Sequence, residues 1–165
     1  VFARTKAAAD QLIPQFAAHT VERCYLAAIL GRMVATKLDS PLVRDRGDGL
    51  RGIARPGETG EHAVTHVRPL DMRGPYQRIE CRLETGRTHQ IRIHLAEAGT
   101  PLCGEPTYLR RRDGTAIDDR SGAPRLALHA TVLSFHHPTT GERLSFHSEW
   151  PADLQNWWDR LPDNR

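Results

Sequence analysis

The 165-residue sequence predicts an α+β fold: one central sheet, mixed but mostly antiparallel, with a few flanking helices. Three observations carry that expectation. Residues 76–84 alternate, with Gln77, Ile79, Cys81 and Leu83 on one face and Arg78, Glu80, Arg82 and Glu84 on the other, the period of a strand with one buried side. Residues 126–135 are apolar on both faces, as a central strand should be. Leu154, Trp157, Trp158 and Leu161 recur at helical spacing, which marks a packing face.

In chain order, Val1-Phe2-Ala3-Arg4 reads as the tail of a strand. Residues 6–19 predict a helix with Thr5 as its cap and Leu12, Ile13 and Phe16 apolar. Pro14 argues against its being unbroken, because proline lacks a donor and crowds the preceding turn. Residues 20–30 are strand-like, ending at Gly31, with Val21, Arg23, Tyr25, Ala27 and Ile29 on one face. Five glycines among scattered charges make 44–61 a loop, with a short strand near Ile53. Residues 62–70 alternate again and are expected to pair with 76–83 through a turn at Arg73-Gly74-Pro75. A second polar loop, 109–125, carries Arg110-Arg111-Arg112. Residues 138–141 make a hairpin connection to 143–147. No internal repeat or low-complexity tract interrupts 1–165, so a single domain is expected.

Composition narrows the function classes. Hydrophobic residues at 39% and charged residues at 26% suit a soluble globular chain. No apolar run is long enough to span a membrane, so a cytoplasmic protein without membrane contact is expected. The net charge is only +3, but 21 arginines stand against two lysines. Arginine forks suit phosphates and carboxylates, which permits nucleic acid without proving it. Cys24, Cys81 and Cys103 are odd in number and widely spaced, as reduced thiols would be. His89 and His94 lie five apart, and no His-Glu-x-x-His or paired Cys-x-x-Cys occurs, so no metal site is expected. No phosphate loop or Gly-x-Ser-x-Gly elbow is present, and nothing calls for an organic cofactor.

The informative stretch is Leu83-Glu84-Thr85-Gly86-Arg87-Thr88-His89-Gln90-Ile91-Arg92-Ile93-His94-Leu95. Gly86 gives a sharp strand-to-helix turn its freedom, Thr88 is the expected helix cap, and Ile91, Leu95 and Ala98 fall on one stripe. Gly99 is placed to end the helix and Pro101 to keep it from resuming. A well-made turn with surface charges is the plain reading. The density of donors favours a site for an anion or a buried carboxylate.

Thr85 to Leu95 closely resembles the signature of the RluA family of RNA pseudouridine synthases. The segment Val21-Glu22-Arg23-Cys24-Tyr25-Leu26-Ala27-Ala28-Ile29-Leu30-Gly31 is similar to that family's Val-x-Lys-x-Tyr-x-Ala-x-Val-x-Gly, with Arg23 where lysine is usual. Gly99-Thr100-Pro101-Leu102-Cys103-Gly104-Glu105-Pro106-Thr107-Tyr108 resembles its Gly-x-Pro-Ile-x-Gly-Asp-x-x-Tyr, with Glu105 for aspartate. Residues 125–130 and 135–138 resemble its late strand.

The resemblance implies a pseudouridine synthase-like fold, incomplete at its N-terminus, and isomerisation of uridine in ribosomal or transfer RNA. It implies a monomer that needs no cofactor. Tyr25 would lie against the target base, and Arg92 would keep a nucleophilic aspartate ionised. Ile91 or Leu95 would wall the pocket; Arg87, His89 and Gln90 would serve substrate binding or the turn. The family's nucleophile belongs to a His-Arg-Leu-Asp motif expected upstream of Val1, and Asp71 in Arg68-Pro69-Leu70-Asp71 is not accepted in its place. The fragment alone is therefore expected to be inactive, with Arg92 exposed, paired elsewhere or holding an anion. The alternatives are a non-catalytic RNA-binding relative and a protein-interaction domain using Trp157 and Trp158.

Overall fold

The computed structural model describes residues 1–110 and 114–163; Arg111 and Arg112 of the arginine run lie outside them. The elements are α1 (Lys6–Ala17), β1 (Glu22–Leu30), β2 (Thr36–Val43), β3 (Gly52–Ile53), β4 (Glu61–Arg73), β5 (Tyr76–Leu83), α2 (Gln90–Glu97), β6 (Leu128–His136), β7 (Arg143–His147) and α3 (Ala152–Arg160). The strands make one seven-stranded sheet in the order β3-β2-β4-β5-β1-β6-β7, every neighbouring pair antiparallel.

The register assigns the two faces. Tyr25 stands opposite Cys81, Ala27 opposite Ile79 and Thr65 opposite Leu83. That face is covered by α2, whose Ile91 and Leu95 join Ala27, Ile29, Val67, Ile79, Cys81, Leu83 and Leu102 in one buried cluster. At its other end α1 seats Leu12 and Phe16 on Val21, Leu133 and Phe135. The opposite face takes α3, with Leu154, Trp157 and Trp158 packed on Ala28, Cys103 and Ala127. Trp158 is 1% exposed, so the tryptophans form core and present nothing to a partner. All three cysteines are free and buried.

Several expectations change. Pro14 sits inside an unbroken α1, capped as expected by the Thr5 hydroxyl, which accepts from the Ala8 N–H at 3.2 Å. The carbonyl freed by Pro14 belongs to Asp10, an exposed residue, so the lost donor is not lost in the core. Val1–Ala3 pair with no strand, and Phe2 is 97% exposed. The strand at 126–135 lies second from the edge rather than centrally, between β1 and β7, and most of its side chains are only half-buried. β2 has no counterpart in the sequence expectation: Lys37, Asp39 and Pro41 dilute its apolar signal, but it pairs with both β3 and β4. The short strand near Ile53 and the turn at Gly74 (φ +53°) are where the pattern put them. Among the described residues no helix is long and apolar enough to cross a membrane.

Candidate active site

The turn between β5 and α2 is built by Gln90. Its amide donates to the Val64 carbonyl at 2.9 Å and to Thr65 Oγ1 at 3.0 Å. Its oxygen accepts from Thr85 Oγ1 at 2.7 Å and from the Arg87 N–H at 3.0 Å. Those four bonds fill an amide's capacity, so Gln90, expected to meet substrate, is turned inward as a brace. The Arg87 N–H it takes lies ahead of the helix; Thr88, the expected cap, is exposed, and no side chain caps the first turn. The cap position is instead His89, in the left-handed region at φ +58°. A non-glycine there costs about 1–2 kcal/mol. That cost is met by the Ile93 N–H donating to the His89 carbonyl at 2.9 Å and by the His89 Nδ1 contact with the Tyr108 hydroxyl at 2.9 Å.

The helix is buried on more than one stripe. Ile91 is 5% exposed and Leu95 0%, so Leu95 is core and not an open pocket wall. Ala98, expected on the same stripe, is exposed, while Ile93 and Ala96 pack with Leu42, Ala63 and Tyr108. His94 continues the brace inward: Nδ1 meets Thr65 Oγ1 at 2.9 Å and Nε2 meets Ser40 Oγ at 3.0 Å. Burial lowers its pKa to about 4, so it is neutral near pH 7.

Arg92 is paired with a residue the sequence reading left out of the site. Nε donates to Glu105 Oε2 at 2.9 Å and Nη2 to Oε1 at 2.5 Å, a two-pronged fit. Oε1 also accepts the N–H groups of Thr107 at 2.9 Å and Tyr108 at 3.2 Å. Burial pushes the Glu105 carboxyl up, but Arg92 and the two N–H groups outweigh it and hold it below the usual range. The Glu105 hydrogen bond raises Arg92 correspondingly. The guanidinium lies 5.0 Å from the Tyr108 ring centroid, a cation–π contact. Among the described residues its third nitrogen, Nη1, finds no hydrogen-bond partner.

Tyr25 half-packs against the cluster containing Ile91 and Leu95, so its ring and α2 share one side of the sheet. Its hydroxyl finds no hydrogen-bond partner among the described residues. Arg87 is tied down, with Nε donating to the His62 carbonyl at 3.2 Å and Nη1 3.1 Å from Glu61. His89 is lowered by burial and then by Arg92 and Arg51, which keeps it an uncharged partner of Tyr108. Asp71 is bound at 2.6 Å by both Nε and Nη2 of Arg78, which lies 5.1 Å from the Trp158 ring on the α3 side. It stands on the wrong face to serve Tyr25.

An open cleft of about 810 Å³ lies on that second face as well, lined among others by His66, Arg68, Glu80, Arg82, Glu84 and Arg87. Its charges pair in part, as at Arg68–Glu80 (2.9 Å) and Glu22–Arg143 (2.6 Å). Glu105, Tyr108, Thr65 and Ser40 were not picked out as site residues from sequence. Only Glu105 and Tyr108 carried a signal, through the segment 99–108.

Comparison with known proteins agrees with this geometry. Residues 1–97 match the family model described as RNA pseudouridylate synthase. The chain is 39% identical to the ribosomal large subunit pseudouridine synthase D of Xanthomonas campestris, covering 99% of this chain and 51% of that protein. It is 40% identical to an uncharacterized RNA pseudouridine synthase of Chloroflexus aurantiacus, covering 99% and 49%. It thus spans about half the length of these relatives. The solved structure of human RNA pseudouridylate synthase domain containing 1 shares the fold, with a TM-score of 0.74, 22% identity and coverage of 99% of this chain and 76% of that one. The match to the family model over residues 1–97 and the whole-chain similarity to these proteins lead to one assignment: the chain belongs to the RNA pseudouridylate synthase family.

Proposed function

We propose that this chain forms the uridine-isomerising part of an RNA pseudouridine synthase acting on ribosomal or transfer RNA. The observation that carries the reading is a pair of unused groups. Among the described residues the Tyr25 hydroxyl and Arg92 Nη1 both lack hydrogen-bond partners, and Tyr25 shares a sheet face and an apolar cluster with α2.

In this reading uridine is rotated out of the RNA, at a cost of a few kcal/mol, and its base lies against Tyr25. An aspartate attacks the nucleoside, the N-glycosidic bond breaks and the uracil turns. A carbon–carbon bond then forms between C5 and C1′, the bond to the aspartate breaks, C5 loses its proton and N1 gains one. Desolvation alone would raise the pKa of that aspartate, and a guanidinium edge at the site offsets it. Glu105 fixes Arg92 by two of its nitrogens and leaves the third for that purpose. Tyr25 holds the base and is positioned for proton transfer. The attacking aspartate is not Asp71, which is committed to Arg78 on the other face. We assign it to a His-Arg-Leu-Asp motif upstream of Val1.

The test is tritium release from uridine-labelled ribosomal and transfer RNA by the full-length gene product. Release that disappears on changing the upstream aspartate to asparagine supports the reading. Robust turnover by residues 1–165 alone would overturn the placement of the nucleophile. Salt-sensitive RNA binding with no release would favour the non-catalytic relative.

A further inference from the structure

Arg23 is a half-buried guanidinium with one hydrogen bond to the described residues. It precedes Tyr25 by two residues and stands opposite Leu133, on the sheet face that α1 and α2 flank. Of its donors, only Nη2 finds the protein, giving one bond of 3.0 Å to the Glu84 carbonyl. Nε is buried with no partner, and no carboxylate pairs with the group. Glu22, its neighbour in sequence, is taken by Arg143 at 2.6 Å, and Glu84, whose carbonyl it meets, has its carboxylate on His66. Nη1 lies over Gly86, 2.1 Å from where a Cβ would stand, so the glycine of the signature turn makes room for it. A half-buried cation normally has a counter-charge, and one held without it needs an explanation.

We propose that Arg23 is an anion-binding residue that receives a backbone phosphodiester of the bound RNA beside the target nucleotide. The inference rests on the reading of Tyr25 as the base-facing residue. Two positions along a strand face are about 7 Å apart, the scale of one nucleotide from base to its own phosphate. A guanidinium N–H gives a phosphate oxygen a charge-assisted hydrogen bond, and here a single nitrogen is available for it. Nη1, without a protein bond, is the corner open to such a ligand. Burial lowers the Arg23 pKa in the free protein, and a bound anion would reverse that shift.

The test is filter binding of the full-length protein to structured ribosomal RNA between 50 and 200 mM salt. Each phosphate contact contributes about 0.7 to 0.9 to the slope of log K against log salt. Arg23→Gln should reduce the slope by that amount and weaken binding, while Arg23→Lys keeps it. Thermal melting run alongside shows whether each variant is folded. An unchanged slope in folded Arg23→Gln overturns the proposal. So does an Arg23→Lys slope that falls as far as that of Arg23→Gln, since packing on Gly86 would then be the whole role. Failure of the proposed reaction would show instead as absent tritium release in the unaltered protein.

Discussion

Replacing Glu105 by alanine tests how the site is held together. The side chain of Glu105 is 1% exposed and that of Arg92 15%, so the change strands a largely buried guanidinium. It also frees the N–H groups of Thr107 and Tyr108 from their acceptor. Removing one partner of a buried pair typically costs about 3–5 kcal/mol. For a domain of this size that lowers Tm by roughly 6–20 °C. Urea unfolding of the single variants and of Glu105→Ala combined with Arg92→Met gives the coupling directly. The double variant should be less destabilised than the sum of the two, because no charge is left unpaired. The dependence on pH has a fixed sign. Glu105 is held below its ordinary pKa, so the pair's contribution is complete above the ordinary carboxyl pKa and fades as pH falls through the folded value. A loss below about 1 kcal/mol, or strict additivity, would refute the claim that Glu105 is what fixes Arg92.

His94→Gln bears on the other end of the brace. With a folded pKa of about 4 against an ordinary 6.5, His94 withdraws stability as pH falls between those values, by about 3 kcal/mol at most. Its replacement should flatten that limb of a melting-temperature profile while leaving the neutral side within a few degrees; an unaltered limb would show that His94 is not the group responsible. Gln90→Ala should cost about 2–4 kcal/mol, because Thr65, Thr85 and the Val64 carbonyl lose a buried partner together. A cost under about 1 kcal/mol would place Gln90 outside the frame of the turn and return it to the substrate-binding residues.

The fold was legible wherever one periodicity dominated. Alternation located β4 and β5 and the tight turn between them, and helical spacing located α3, since each has one apolar face against a core. Reading failed where two influences compete. β2 mixes Lys37, Asp39 and Pro41 into a strand held by partners on both sides. Thr88 satisfies a capping rule, but a left-handed His89 delays the helix and leaves it without a side-chain cap. The site was legible as a segment, not as a set of roles. Residues 85–95 announced a dense cluster of donors, but which of them face inward depends on Val64, Thr65 and Ser40, some 20 to 50 positions away. The partner of Arg92 was hidden for the same reason: Glu105 is 13 residues downstream, across the end of α2 and the loop after it.

The most direct measurement is single-turnover tritium release by the full-length protein carrying Arg92→Ala, with Tyr25→Phe alongside. Withdrawing about 3–4 kcal/mol of charge stabilisation at the reacting acid predicts release slowed by at least a hundredfold for Arg92→Ala. Tyr25→Phe should be weakened less. Arg92→Ala turning over within tenfold of the unaltered protein, while still folded, would contradict the account.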